Sequence, residues 1–205
     1  MNNRRHWSRT PATTVLIALI LIAFGLEVVG IPLTAMFCNF APLVKKEPWR
    51  LVTSMFLHAG ALHLVVNLVA LFQLGRFYEL MFGTRRFLLI YFASGLIASL
   101  ASAWWNQGPS VGASGAIFGI LGAMIFSIRR SPRWRNDPFG RSIVTQGVFL
   151  ILANLVITWT VPQIDKAGHI GGLVAGLLLG ALLPQKPEPP RPPAQVVIDV
   201  QPHDV

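Results

Sequence analysis

The sequence predicts an all-α membrane protein: a bundle of six transmembrane helices with a long outer loop after the first. Three observations carry this. Charged residues make up only 12% of the 205-residue chain and apolar residues 53%, whereas a soluble domain carries about a quarter charged residues. The apolar residues are gathered into six runs, at 14–34, 59–76, 87–105, 113–128, 143–161 and 167–183. Each is near the ~20 residues that a helix needs to cross the hydrocarbon core. The runs do not alternate polar with apolar residues, so they are helices rather than barrel strands, the only two forms that satisfy their backbone in lipid.

Basic residues set the orientation. Arg4, Arg5 and Arg9, then Arg76, Arg85 and Arg86, five arginines within 129–141, and Lys186 with Arg191 fall on one side. Lys45, Lys46, Arg50 and Lys166 are left for the other. The positive-inside rule makes the first side, and with it both termini, cytoplasmic. Trp49, Trp104, Trp105 and Trp159 then fall at the outer interface, where amphipathic rings are favoured. The net charge of +9 does not describe a nucleic-acid surface, because no basic stripe is interleaved with aromatics. One cysteine, Cys38, excludes an internal disulfide and a cysteine metal cluster.

Taken in order, residues 1–13 form a basic cytoplasmic segment and 14–183 the membrane domain. The first run, with its basic approach and the small-residue site "LTA", resembles a signal peptide. It is longer than a signal core, and its removal would upset the charge balance, so it reads as the first span. Glu27 within it is a functional candidate by position; the favoured reading is a partnered residue facing the bundle. The loop at 35–57 ("MFCNFAPLV", "WRLVTSMFL") is too apolar to be fully solvated and is expected in the interface. Residues 184–205 are proline-rich and expected to be extended or disordered. No internal repeat is evident, which weighs against an inverted-repeat transporter.

Polar groups inside the spans each need a reason. His6 and His203 lie in the tails. Span 2 opens "HAGALHLVVN", in which His63 and Asn67 are four apart and share a face. His58 and His63 are five apart, rotated by about 140° on a regular helix. Span 4 opens with Ser114 in its first turn, and span 6 carries His169 near its start. All three spans enter from outside, so one serine, three histidines and one asparagine reach one shallow layer. The odd-numbered spans bring no comparable group. Gly115, Gly119 and Gly122 on span 4, and Gly172, Gly176 and Gly180 on span 6, form stripes that let two backbones approach closely. Such contact brings Ser114 toward His169.

A serine hydroxyl needs a base to become a nucleophile, and neutral His169 can serve. His63, Asn67 and the Ser114 backbone N–H can donate to a developing oxyanion. Asp165, one turn before His169, belongs to the outer loop, so a Ser–His dyad is expected. "GASG" is not the soluble hydrolase elbow, whose fifth position is glycine on a strand-to-helix turn; here that position is Ala116.

The conjunction of "WRLVTSMFLHAGALHLVVNLVALFQLG", "GRFYELMFGTRRFLLIYFASGL", "GASGAIFGILGA" and "AGHIGGLVAG" resembles the rhomboid intramembrane serine proteases over about residues 45–182. The resemblance implies Ser114 as nucleophile and His169 as base. It implies an oxyanion hole of His63, Asn67 and the Ser114 amide, with His58 and Gly112 lining the site. It assigns Arg50 and Glu79 structural roles supporting the first loop. Where some members carry a tyrosine four residues after the serine, this chain has Phe118, whose ring can still stack on His169. It further implies a water-filled cavity open to the outer side and single-span or multi-span membrane proteins as substrates. These would enter near span 5 and the loop at 162–167. No metal or cofactor is implied. The expected location is the inner membrane of a prokaryotic cell. Three rival readings are an inactive rhomboid-like binding protein, a transporter with a histidine proton relay, and a zinc site at His58, His63 and His169. The relay needs polar groups through the full depth of the spans, and the zinc site lacks the H-E-x-x-H spacing.

Overall fold

A computed structural model describes residues 10–106 and 108–184. All regular elements there are helical, apart from a single antiparallel bridge between Asn39 and Ser110. The helices are α1 (Pro11–Val28), α2 (Leu33–Phe37), α3 (Ala41–Val44), α4 (Arg50–Thr53), α5 (Ala61–Ala70), α6 (Arg76–Phe82), α7 (Thr84–Trp105), α8 (Ser114–Arg130), α9 (Pro138–Thr160) and α10 (Lys166–Leu182). A π-helical segment, Leu71–Gly75, joins α5 and α6 into one 22-residue rod. Four helices have the length and apolarity to cross a membrane: α1, the α5–α6 rod, α7 and α9. Helix α10 is apolar but shorter.

The rod runs further than the apolar run at 59–76. Tyr78, Glu79 and Phe82 are buried on α6, so burial on one face continues the helix past the basic Arg76. The chain then reverses at Gly83, whose φ of 90° suits glycine. Arg85 and Arg86, expected in a loop, therefore stand in the first turn of α7. At the other end, α1 stops at Val28, short of the run's end at 34, because Gly30 turns the chain at φ 95°.

Helix α8 is the centre of the bundle. Gly115–Ile125 are buried without interruption, as are Ser127 and Ile128, which a helix in a protein interior shows and a lipid-facing one does not. It packs on α10 through the two glycine stripes. A Cβ at Gly172 would overlap the Gly115 carbonyl, and one at Gly176 the Gly119 carbonyl. The other side of α8 meets α7, where a Cβ at Gly119 would strike Ser94. Helices α1 and α9 are peripheral. Only four residues of each are buried, and Val15, Ile22, Phe149 and Leu152 are among their exposed side chains.

The first loop is not a solvated strap. It folds into α2, α3, α4 and a 3-10 turn at Ser54–Phe56, and buries Cys38, Asn39, Arg50, Leu51 and Met55. Asn39 exchanges both backbone hydrogen bonds with Ser110, at 3.0 and 2.8 Å, and its side chain donates to the Ser99 carbonyl of α7 at 2.8 Å. The loop thereby braces the segment that leads into α8.

Arg50 and Glu79 lie at opposite ends of α1. Arg50 is within the loop, donating to the Cys38 carbonyl at 3.1 Å and pairing with Glu47. Glu79 accepts from the backbone N–H of Ala12 and Thr13 and from the Thr13 and Thr84 hydroxyls, at 2.7–3.0 Å. Helix α1 has 18 residues, or about 27 Å of rise, between this contact and the loop. Glu79 thus holds the start of α1 rather than the first loop.

Candidate active site

Ser114 is the first residue of α8, and its position follows from Gly112. At φ 126°, Gly112 takes a conformation that side chains rarely adopt. A Cβ there would also come within 2.8 Å of the His63 ring. The Gly112 N–H donates to the Ser54 carbonyl at 2.9 Å, pinning the turn to the first loop. From this turn the chain enters α8 directly. The first-turn N–H groups, including that of Ser114, have no acceptor within the helix.

The Ser114 hydroxyl lies 2.8 Å from His169 Nε2. His169 is in the first turn of α10, held by two contacts besides the serine. Phe118, one turn along α8, stacks on the imidazole with centroids 4.5 Å apart and planes 28° apart. The Thr158 hydroxyl of α9 lies 2.9 Å from His169 Nδ1. With Nδ1–H donating to Thr158, the Nε2 lone pair faces the serine proton, the arrangement a general base requires.

His63 stands on the other side of Gly112. The Ala59 N–H points at His63 Nδ1, at 3.4 Å, which leaves the ring proton on Nε2, the nitrogen facing Gly112. His58 is buried against it, with ring centroids 5.0 Å apart. Asn67 is buried one turn deeper and donates to the His63 carbonyl at 2.9 Å; its amide has a second N–H to offer. Ser114, His169, His63, Gly112 and Phe118 thus meet at one end of the bundle, with His58 and Asn67 flanking His63. Glu27 is apart from this group: its carboxyl accepts from the Thr34 N–H at 2.8 Å, across a cavity also lined by His58.

Two contributors are additions to the residues expected. Thr158 comes from the fifth apolar run, one of the odd-numbered spans from which no group comparable to the serine and histidines was expected. Asp165 does not touch the His169 ring; it caps α10 by accepting from the Gly168 N–H at 2.8 Å. The same carboxylate accepts from the Asn106 amide and the Ser110 hydroxyl, both at 2.6 Å. It thus ties the entry to α10 to the approach to Ser114, and so fixes the separation of serine and histidine.

An all-helical, multi-pass membrane protein with a serine–histidine pair at one end of its bundle is the class that fold and site define. Residues 45–186 match the rhomboid domain, and the chain belongs to the rhomboid family. It is 43% identical over 141 residues to rhomboid protease GluP of Bacillus subtilis. It is 38% identical over 145 residues to RHOMBOID-like protein 1 of Arabidopsis thaliana, and 40% over 143 to that plant's mitochondrial RHOMBOID-like protein 6. These alignments take in 69–70% of this chain but only 27%, 36% and 46% of the respective relatives.

Proposed function

We propose that this chain is an intramembrane serine endopeptidase, cleaving transmembrane segments of membrane proteins near their outer ends with a Ser114–His169 dyad. The observation that carries the reading is the 2.8 Å contact between Ser114 Oγ and His169 Nε2, with the other imidazole nitrogen already held by Thr158. His169 takes the Ser114 proton as Oγ attacks the scissile carbonyl. The tetrahedral oxyanion receives the Ser114 N–H, His63 Nε2–H and an Asn67 N–H. His169 then gives its proton to the leaving amine, and water releases the acyl group by the same route.

The proposed topology is six crossings, with α8 and α10 completing the four longer helices. Helix α8 is sheltered by its neighbours, so its 17 residues need no lipid-facing apolar surface of their own. The basic side, with both termini, is cytoplasmic, and the membrane is the inner membrane of a prokaryotic cell. The site then opens outward, where water can reach it. The substrates are single-span or multi-span proteins.

Purified protein in liposomes, given a single-span substrate, tests the chemistry. Ser114→Ala and His169→Ala should each lower cleavage by about 10³-fold or more while eluting as folded protein. Retained cleavage in either variant overturns the dyad. A rhomboid-like protein that only binds membrane proteins would leave Ser114 unlabelled by a serine-reactive phosphonate, whereas the protease is labelled in proportion to lost activity.

A further inference from the structure

We propose that the segment between α8 and α9 forms a binding site for the phosphate of an anionic glycerophospholipid, distinct from the serine–histidine site. A cavity of about 200 Å³ opens where α8 ends and α9 begins, lined by Arg129, Arg135, Arg141, Trp134, Val144 and Thr145 among others. Residues 129–141 contain five arginines and a single acidic residue, Asp137. Asp137 is engaged, accepting from the Phe139 and Gly140 N–H groups at the start of α9. Two of the arginines are also occupied elsewhere: Arg130 on the Ala181 and Leu183 carbonyls, and Arg133 over the Trp134 ring at 4.5 Å. The three left over are the three that line the cavity. A guanidinium fork matches phosphate oxygens in pairs.

The walls are fixed. The loop closes on itself through Arg135 N–H to Ser131 O at 3.0 Å and Arg141 N–H to Asp137 O at 3.0 Å. Gly140 is packed so tightly that a Cβ would overlap the Trp134 carbonyl. A lipid, rather than a soluble phosphate, is the occupant because the cavity continues into an apolar helix face. Val144 lines it, and Val148 and Leu152 follow at four-residue steps along α9, both exposed. Acyl chains can lie along that face while the headgroup sits among the arginines. On the topology above, this end of α9 is cytoplasmic, the leaflet surface that attracts basic segments.

The test is lipid retention by the full protein in neutral detergent, read by native mass spectrometry with dihexanoyl phosphatidylglycerol as probe. Retention should exceed that of dihexanoyl phosphatidylcholine. Arg135→Gln and Arg141→Gln should each weaken it by about fivefold, the effect of one basic residue at an anionic surface. Arg85→Gln, an equal charge change on the same side, should not. Equal loss in Arg85→Gln, or equal retention of the neutral lipid, overturns the site. Displacement by equimolar glycerol 3-phosphate overturns the lipid as occupant. Arg135 is exposed and makes no contact that its replacement would break, and the readout is binding, so the outcome is independent of the protease reading.

Discussion

The catalytic proposal turns on how one imidazole is held. Of the two threonines in "ITWT", Thr160 bonds back to the Val156 and Ile157 carbonyls of its own helix, the usual habit of a helical threonine. Thr158 is buried beside exposed Trp159 and Ile157, and reaches His169 instead. Nothing in the sequence separates the two, since the difference depends on which face of α9 meets α10. The meeting of Ser114, His169 and His63 was legible because all three lie near the starts of alternate apolar runs. Replacing Thr158 with valine keeps the shape and removes the hydrogen bond that orients Nδ1. We expect kcat to fall about tenfold, equivalent to ~1.4 kcal/mol of barrier, with KM unchanged, and Thr158→Ser to restore most of it. A change in KM alone would show that Thr158 acts on substrate binding rather than on His169. Gly112→Ala meets both the positive φ and the His63 ring, so it should lose cleavage and displace Ser114 without unfolding the bundle.

At the scale of elements, the glycine stripes on α8 and α10 could be read as a seam from spacing alone, and their carbonyl-to-glycine contacts bear this out. Their energetic weight was not legible, because spacing does not say which glycines oppose backbone and which oppose lipid. Gly176 sits against the Gly119 backbone, which cannot yield as a side chain can, whereas Gly25 on α1 has open space around it. Overpacking costs typically ~1–3 kcal/mol. Gly176→Ala should therefore lower the unfolding midpoint in detergent by roughly 2–12 °C at the ~2–4 °C per kcal/mol expected of a chain this size. Gly25→Ala should leave it unchanged or slightly raised, through better helix propensity. Equal midpoints for the two variants would mean that the α8–α10 approach is looser than the backbone geometry states. The rod formed by α5 and α6 extends past its apolar run for a different reason. Its end carries Arg76 and Glu79, which a hydropathy window counts as loop, yet Glu79 faces inward.

At the scale of the whole molecule, the order of helices and the meeting of Ser114, His63 and His169 at one end of the bundle followed from periodicity. How the peripheral α1 is fastened to the bundle did not, because that depends on a contact across 66 residues of sequence. Helix α1 buries only Ala12, Thr13, Leu16 and Ile20, so packing holds it weakly. In lipid, apolar side chains gain little by leaving one apolar neighbour for another, and its polar attachments carry more of the load. One is Glu27 to the Thr34 N–H beyond its end. The stronger is Glu79, whose two carboxyl oxygens take three hydrogen bonds at the α1 start and a fourth from Thr84 of α7; backbone donors at a helix start are otherwise unmatched and the helix dipole favours an acceptor there. Glu79→Ala strands those buried donors, at a cost of about 3 kcal/mol or more. The expected result is a lower unfolding midpoint together with increased proteolytic cutting between α1 and α4, as α1 parts from the bundle. Ser114 and His169 are joined through α7, α8, α9 and α10, without α1, so phosphonate labelling of folded Glu79→Ala protein should persist below its midpoint. If labelling is lost while the fold remains, then α1 supports the site itself, and the first loop that follows α1 is the element through which it does so.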